Sequence, residues 1–475
     1  MSHIFLQEDA MKMFDRQVQL SRRQMLKSMA LVGAGAVVAA CVPAQTPGGA
    51  SEQGAAPSNA PVTIDFITPG ALGTEREMYT QFITDFQTAH PNVTVNVSFE
   101  AWGDYMTKLP TMFAGGVVPD MIHQHMSIVQ DYAHRGVLRD LVPYMERDSI
   151  DPKDYIPALF DAFSNQGKTY GIPKDSAAWG VYYNTDLFDA AGLDYPGENW
   201  SLSDFQSAAK ELTQDGSGNP ASSSSFNPDD VAQWGFSWLD SPAPNNSETA
   251  RGFVRAAGGD WYDEGYTTTL LTDPAVLEHF QMFHQMRCVD KSSPSAAQAE
   301  GKGDLFRAGL TAMAVSFHVM DFFAREEKVT FNYDVTFFPG GPGGRYSVVG
   351  CSGWAVPTQA SDPEVGWELV KYLTSLEVQR AIGERKRWGV SLAAAVDSII
   401  PEDTPAKNFA LVHTDPFQKA IDGIEVISFK FPANQSRIKE IYSTYFDPIW
   451  NCVSDDVEGA AASAKAEIDA VLAEL

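Results

Sequence analysis

The residues best suited to chemistry in this chain are aromatic and polar side chains that fall where strand-like runs stop. Thr68 and Gly70 end the alternating run "PVTIDFIT" and the turn after it, Trp102 follows "NVTVNVSFE", and His123 and Gln124 close "PDMI". Ligands of α/β sheets bind beyond the carboxyl ends of strands, so side chains at such ends are the first candidates for contact. An indole face can cover C–H groups while an imidazole, amide or hydroxyl meets a ligand hydroxyl, a combination suited to polyhydroxylated molecules. The chain carries ten tryptophans for such platforms. Other chemistries lack their residues. There is no HExxH and no P-loop, and Gly350-Cys351-Ser352-Gly353 does not have the GxSxG form of a nucleophile elbow. Asp215-Gly-Ser217-Gly-Asn219 follows the first half of a calcium loop, but the twelfth position is Phe226 instead of glutamate, so a solvated turn is expected. No cofactor and no metal is expected.

The elements that must position these residues read as an α/β arrangement. "TEREMYTQFITDFQTAHP" has Met78, Phe82 and Phe86 on one helical face, with Thr74 and Glu77 spaced as a capping box and Pro91 as a stop. It separates the first two strand patterns. "DYMTKLPTMFAGG" and "SIVQDYAHRG" read as helices on either side of "PDMIHQH", which gives a β-α-β-α-β order and a mainly parallel sheet. Further on, "WGVYYN" reads as a strand, "TDLFDAAGL" and "SLSDFQSAAKELTQ" as helices, and "TAMAVSF" and "YDVTFFP" as returning strands. From Glu364 onward the pattern is mostly helical.

The first residues read as an address. Arg22 and Arg23 precede an apolar run, Met29 to Ala40, of about a dozen residues, too short to span a bilayer. Ser21–Lys27 resembles a twin-arginine signal, and Val38-Ala39-Ala40-Cys41 resembles a lipobox whose cysteine is lipidated. Residues 1–41 are thus expected to be an export signal, 42–60 a flexible tether, and Cys41 the anchor to the membrane. The formal charge of −27 argues against nucleic-acid partners. Cys288, Cys351 and Cys452 lie far apart without CxxC spacing, so no zinc cluster is expected; one disulfide with one thiol left over is open, and buried free thiols are the favoured reading.

Five ordered stretches carry a family resemblance. "GKTYGIPKDSAAWGVYYNTDLFDAAGLDYPGENWSLSDFQSAAKELT", Gly167 to Thr213, resembles the central signature of family 1 extracellular solute-binding proteins of ABC importers. "FAGGVVPDMI", "LFRAGLTAMAVSF", "SGWAVPT" and "YLTSLEVQRAIGE" resemble further landmarks of that family. The resemblance implies a two-lobe, periplasmic-binding-protein-like fold of type II, with mixed sheets flanked by helices and a hinged cleft. It places 61–170 and 319–355 in the first lobe, 173–315 and 358–475 in the second, and the hinge near Tyr170–Pro173, Ser316–His318 and Ala355–Pro357. It further implies a monomeric binder of a sugar or oligosaccharide, held outside the cell and delivering to permease subunits, and no catalysis. Under the resemblance Trp234, Trp238, Trp354 and Trp388 join Trp102 as ligand-facing aromatics. Asp175 is expected to accept a ligand hydroxyl, with Lys174 and Ser176 beside it and His318 after the hinge strand; Asn434 and Arg437 are weaker candidates. A binder of a glycerol phosphodiester or peptide, using Lys174 or Arg387, and a secreted glycosidase with paired carboxylates are the rival readings.

Overall fold

Alternation along Val62–Pro69 (β1) and the helical period of Gly73–Ala89 (α1) meet in one core: Ile64 and Phe66 bury against Met78, Tyr79, Phe82 and Phe86. The structure, a computed structural model, describes residues 60–70, 73–238, 248–317, 329–385, 389–399, 404–414, 417, 424–428 and 430–474. The export signal, tether, Cys41, His318, Arg387 and Trp388 lie outside the described residues.

β1 pairs in parallel with Val93–Glu100 (β2) on one side and with Met121–His125 (β3) on the other. Helix Trp102–Ala114 (α2) makes the crossover from β2 to β3 and continues through Pro110 instead of stopping there. Ser352–Ala355 lies antiparallel to β3 and pairs in turn with Ile172–Pro173, which completes a five-stranded sheet. A second, seven-stranded sheet is built around Ala177–Asn184, whose residues are almost all buried. Val231–Trp238, Thr311–Phe317, Tyr333–Thr336, Arg345–Gly350 and Ile424–Ile427 all belong to this sheet.

Among the described residues the chain passes from one sheet to the other at Lys174–Ser176, returns at Cys351, and passes again between Ser398 and Asn408. Trp367, Val370, Leu373, Val378 and Ile382 pack with Ile64 and Phe66, so Pro363–Glu384 covers the smaller sheet. Beyond the last passage Asn408 N–H donates to Asp334 and the Tyr182 hydroxyl meets His413 Nε2, both on the larger sheet. This differs from the expected division. Tyr333–Gly350 belongs with the second lobe, Pro363–Ser398 with the first, and Ser316 lies inside a strand paired to Gly180 instead of at a crossing. Hydrophobic period distinguishes strand from helix, but strands of both sheets are buried alike, so it does not say which sheet a strand joins.

Cys288 and Cys452 form a disulfide across 164 residues, the alternative to the favoured reading of free thiols; among the described residues Cys351 is the remaining thiol, buried at a crossing. The half-calcium loop is likewise resolved. Asp215 accepts from the backbone of Ser217, Asn219 and Asn227 and from the Asn219 amide, so its carboxylate is filled by the protein and held down at about 2, with the Asn219 side-chain bond the largest cause.

His279, on helix Pro274–His284, is 1% exposed between Trp261 and Phe283, and burial depresses its pKa to about 3. Its folded pKa lies below that of the unfolded chain. Between about pH 6.5 and about 3 the unfolded chain therefore takes a proton that the native state refuses, and stability falls with pH across that window. His279→Phe should shrink the loss of urea stability between neutral pH and the acid end of this window. An unchanged loss would assign it to other groups.

Candidate functional site

The carboxyl ends of β1, β2 and β3 converge beside the Lys174–Ser176 crossing, and the side chains there form one connected cluster. Trp102 opens α2 and is 46% exposed, with its ring edge-on to His123 at 5.9 Å and to His125 at 5.4 Å. Strand alternation puts His123 and His125 on the same face as Trp354, the cross-strand partner of His123, whose centroid lies 5.8 Å from the imidazole. Tyr105, from α2, braces His123 by donating its hydroxyl to the His123 carbonyl. His125 caps the following helix, Met126–His134, by accepting from Ser127 N–H.

Charge enters at the crossing. Lys174 Nζ lies 2.6 Å from Asp175 Oδ2 and 3.2 Å from the Tyr79 hydroxyl, and sits over the rings of Trp354 and Tyr79 at 5.0 and 5.4 Å. Lys174 is 2% exposed and Asp175 3%. Asp175 Oδ1 accepts from Ser352 N–H at 2.7 Å, and Lys174 N–H donates to the Ser352 carbonyl, so two of the chain crossings are bonded to each other. Burial by itself pulls the Lys174 ammonium down; Asp175, Tyr79 and Glu75 outweigh it and hold the group above the ordinary lysine range. Burial raises the Tyr79 phenol to about 12. Burial, with Lys174 nearby, drives His123 far below its usual value and His125 to about 4, so both imidazoles are neutral at neutral pH.

Several expected contacts take other roles. Both oxygens of Asp175 are bonded within the protein, Oδ2 to Lys174 and Oδ1 to the Ser352 N–H. Trp354 is 0% exposed, wedged edge-on against Phe66, Tyr79 and His123. Trp234, Phe236 and Trp238 share one face of their strand. Trp238 packs into Phe236, Phe253 and Phe283, while Trp234 pairs with Thr311 at the far end of the sheet from the crossing. Thr68 is buried and donates its hydroxyl to the Pro69 carbonyl. Arg437 pairs with Glu474 on the surface, and Asn434 N–H donates to Asp131. Gln124 is fully buried on the opposite face of β3 from His123.

Two groups were missed. His125 followed His123 at the spacing that keeps a strand face, which was signal enough. Trp179, in "AAWGVYYN", packs on Phe317 with centroids 4.7 Å apart at the end of the larger sheet nearest the crossing. The near-continuous burial of its strand gave no cue to which end would face the other lobe.

Some of the buried polar atoms without a hydrogen-bond partner lie at this junction. Both ring nitrogens of His123 and the indole N–H groups of Trp354 and Trp179 are buried without a hydrogen-bond partner. Buried polar groups are almost always paired, and each left unpaired costs about 1–3 kcal/mol. At the strand ends Trp102 supplies an exposed aromatic face beside the neutral imidazoles of His123 and His125, an arrangement suited to a neutral guest. Among the described residues of the cluster the one ammonium, Lys174, is already paired.

The profile of the bacterial extracellular solute-binding proteins matches residues 71–380. A binding protein of Brucella abortus is 24% identical over 291 residues, which span 61% of this chain and 66% of that relative. The lactose-binding protein of Rhizobium radiobacter is 30% identical over 113 residues, 23% of this chain and 26% of that one. Among solved structures, the ABC substrate-binding protein of Listeria monocytogenes in complex with cycloalternan superposes with a TM-score of 0.72 at 25% identity, over 86% of this chain and 99% of that chain.

Proposed function

Because the chain belongs to the bacterial extracellular solute-binding protein family, we propose that it is the binding component of an ABC importer and that its solute is a neutral sugar or oligosaccharide. The two-lobe fold holds the guest between the sheets and releases it chemically unaltered to permease subunits. The observation that carries the sugar is the junction itself: an exposed indole at the strand ends, with both neighbouring imidazoles neutral and the ammonium already neutralised. A phosphodiester or other anion would need a free cation, and the described residues of the junction offer none. The lactose-binding relative and the cycloalternan complex support the same class.

Opening and closing of such a clamshell differ by a few kcal/mol, and a guest that touches both lobes selects the closed form. The crossings bonded through Asp175 and Ser352 are the pivot. The Cys288–Cys452 disulfide fits an oxidising compartment outside the cytoplasm. No described helix is long and apolar enough to cross a membrane; attachment through a lipidated Cys41 belongs to this proposal.

Calorimetry of the exported chain against a panel of neutral saccharides, uronates and sugar phosphates tests the reading. Saturable binding of a neutral saccharide, recovered intact by chromatography, is expected. Trp102→Ala should weaken it by about 1–2 kcal/mol, roughly 5- to 30-fold, through loss of the ring face. Preference for an anion, or a chemically changed sugar, would overturn it.

A further inference from the structure

Behind the hinge lies a second concavity. Along Cys351–Trp354 successive side chains alternate: Ser352 and Trp354 face the His123 cluster, whereas the Cys351 thiol donates to the Leu159 carbonyl and Gly353 lies against Phe163. Leu159 belongs to helix Pro157–Ala162, so that helix and the Trp102–His123 junction are on opposite faces of the crossing strand. A cavity of about 560 Å³ opens beside this helix, lined by Asp161 from it and, from the other lobe, by Arg251, Asp260, Trp261, Tyr262 and Tyr266, with Lys430 at its edge. That volume is in the range of small-molecule pockets.

Its lining is built. Arg251 grips Asp260 through two bonds, at 3.0 and 2.7 Å, and Arg255 adds a third at 3.2 Å, which fixes planar polar groups in one orientation. Tyr262 and Tyr266 stand together with centroids 5.7 Å apart and planes tilted by 33°. Tyr266 holds a φ of 55°, a left-handed backbone that a bulky side chain rarely adopts. Trp261 backs this wall, buried and stacked on Phe280. Lys430 Nζ meets Asp161 Oδ1 at 2.8 Å across the edge.

We infer that this cavity is a second binding site, for a small polyhydroxylated molecule of about one sugar ring, bounded by both lobes on the far side of the hinge from the cleft. The tyrosine pair covers a ring's C–H face, and the fixed guanidinium and carboxylate meet its hydroxyls. An occupant touches Asp161 and the opposite lobe together, so it also biases how the lobes stand. The inference stands apart from the choice of solute in the cleft.

The test uses D-glucose at millimolar concentration as the probe and saturation-transfer NMR on the exported chain. Tyr266→Gly removes the wall while relaxing the left-handed backbone, so the fold is retained; Trp102→Ala removes the cleft platform. Glucose contact should survive in Trp102→Ala and disappear when Tyr266→Gly is added. Contact that persists in the double variant, contact that vanishes with Trp102→Ala alone, or no contact in the parent chain would each overturn the second site. Should the cleft take no saccharide, Trp102→Ala would match the parent chain while Tyr266→Gly still abolished contact, which separates failure of the functional reading from failure of this one.

Discussion

Asp175→Ala is expected to lower folding stability by about 3–5 kcal/mol, because it strands a buried ammonium. Lys174 and Asp175 are 2% and 3% exposed, so water cannot replace the lost partner. The substitution also removes the acceptor of Ser352 N–H, the bond that ties one crossing to another. Urea unfolding followed by fluorescence should show a large drop in midpoint with little change in slope. The double change Lys174→Met with Asp175→Leu should cost less than the single one, since no charge is left unpaired. If the single change proves no worse than the double, the pair is not what holds the crossings.

Reduction of Cys288–Cys452, or Cys452→Ala, is expected to cost about 2–5 kcal/mol, near the upper part of the range because the bridge closes a long loop of 164 residues. The bridge ties the end of helix Gln435–Trp450 to the segment after Pro274–His284, where Phe280 packs on Phe446 and Trp450. Thermal unfolding with and without a thiol reductant measures it. Cys351→Ala should leave the reductant effect intact. A parent chain that melts at the same temperature in both conditions would remove the bridge from the stability account.

Local order was legible. Alternation in Val62–Pro69, the four-residue spacing of Met78, Phe82 and Phe86, and the helical reading of "SLSDFQSAAKELTQ" each correspond to an observed element. The family assignment was legible as well, since its landmarks keep their order along the chain. The assignment of strands to sheets was not, because a strand's apolar period is the same whichever neighbour it pairs with. The site was legible by position more than by role. Trp102 and His123 stand at strand ends as read, but one residue of shift along a strand decides whether a tryptophan meets solvent or the core, and Trp354 and Trp238 fell on the core side. Lys174 and Asp175 are adjacent opposite charges immediately after a buried strand. That pattern is as compatible with mutual neutralisation as with a ligand, and their depth in the fold selects the first.

The repeated passage of the chain between the sheets has a consequence for biosynthesis. The larger sheet begins at Ala177, yet its edge strand Ile424–Ile427 and the helix Val457–Leu472 that packs near Pro274–His284 are made last. A nascent chain that has emerged only to the end of the first lobe's helices therefore carries a half-built second lobe with its apolar face uncovered. Non-local closure of this kind slows maturation and leaves unfinished chains prone to aggregate. Products that stop short of the last helix should accumulate in the insoluble fraction, whatever their first lobe has achieved.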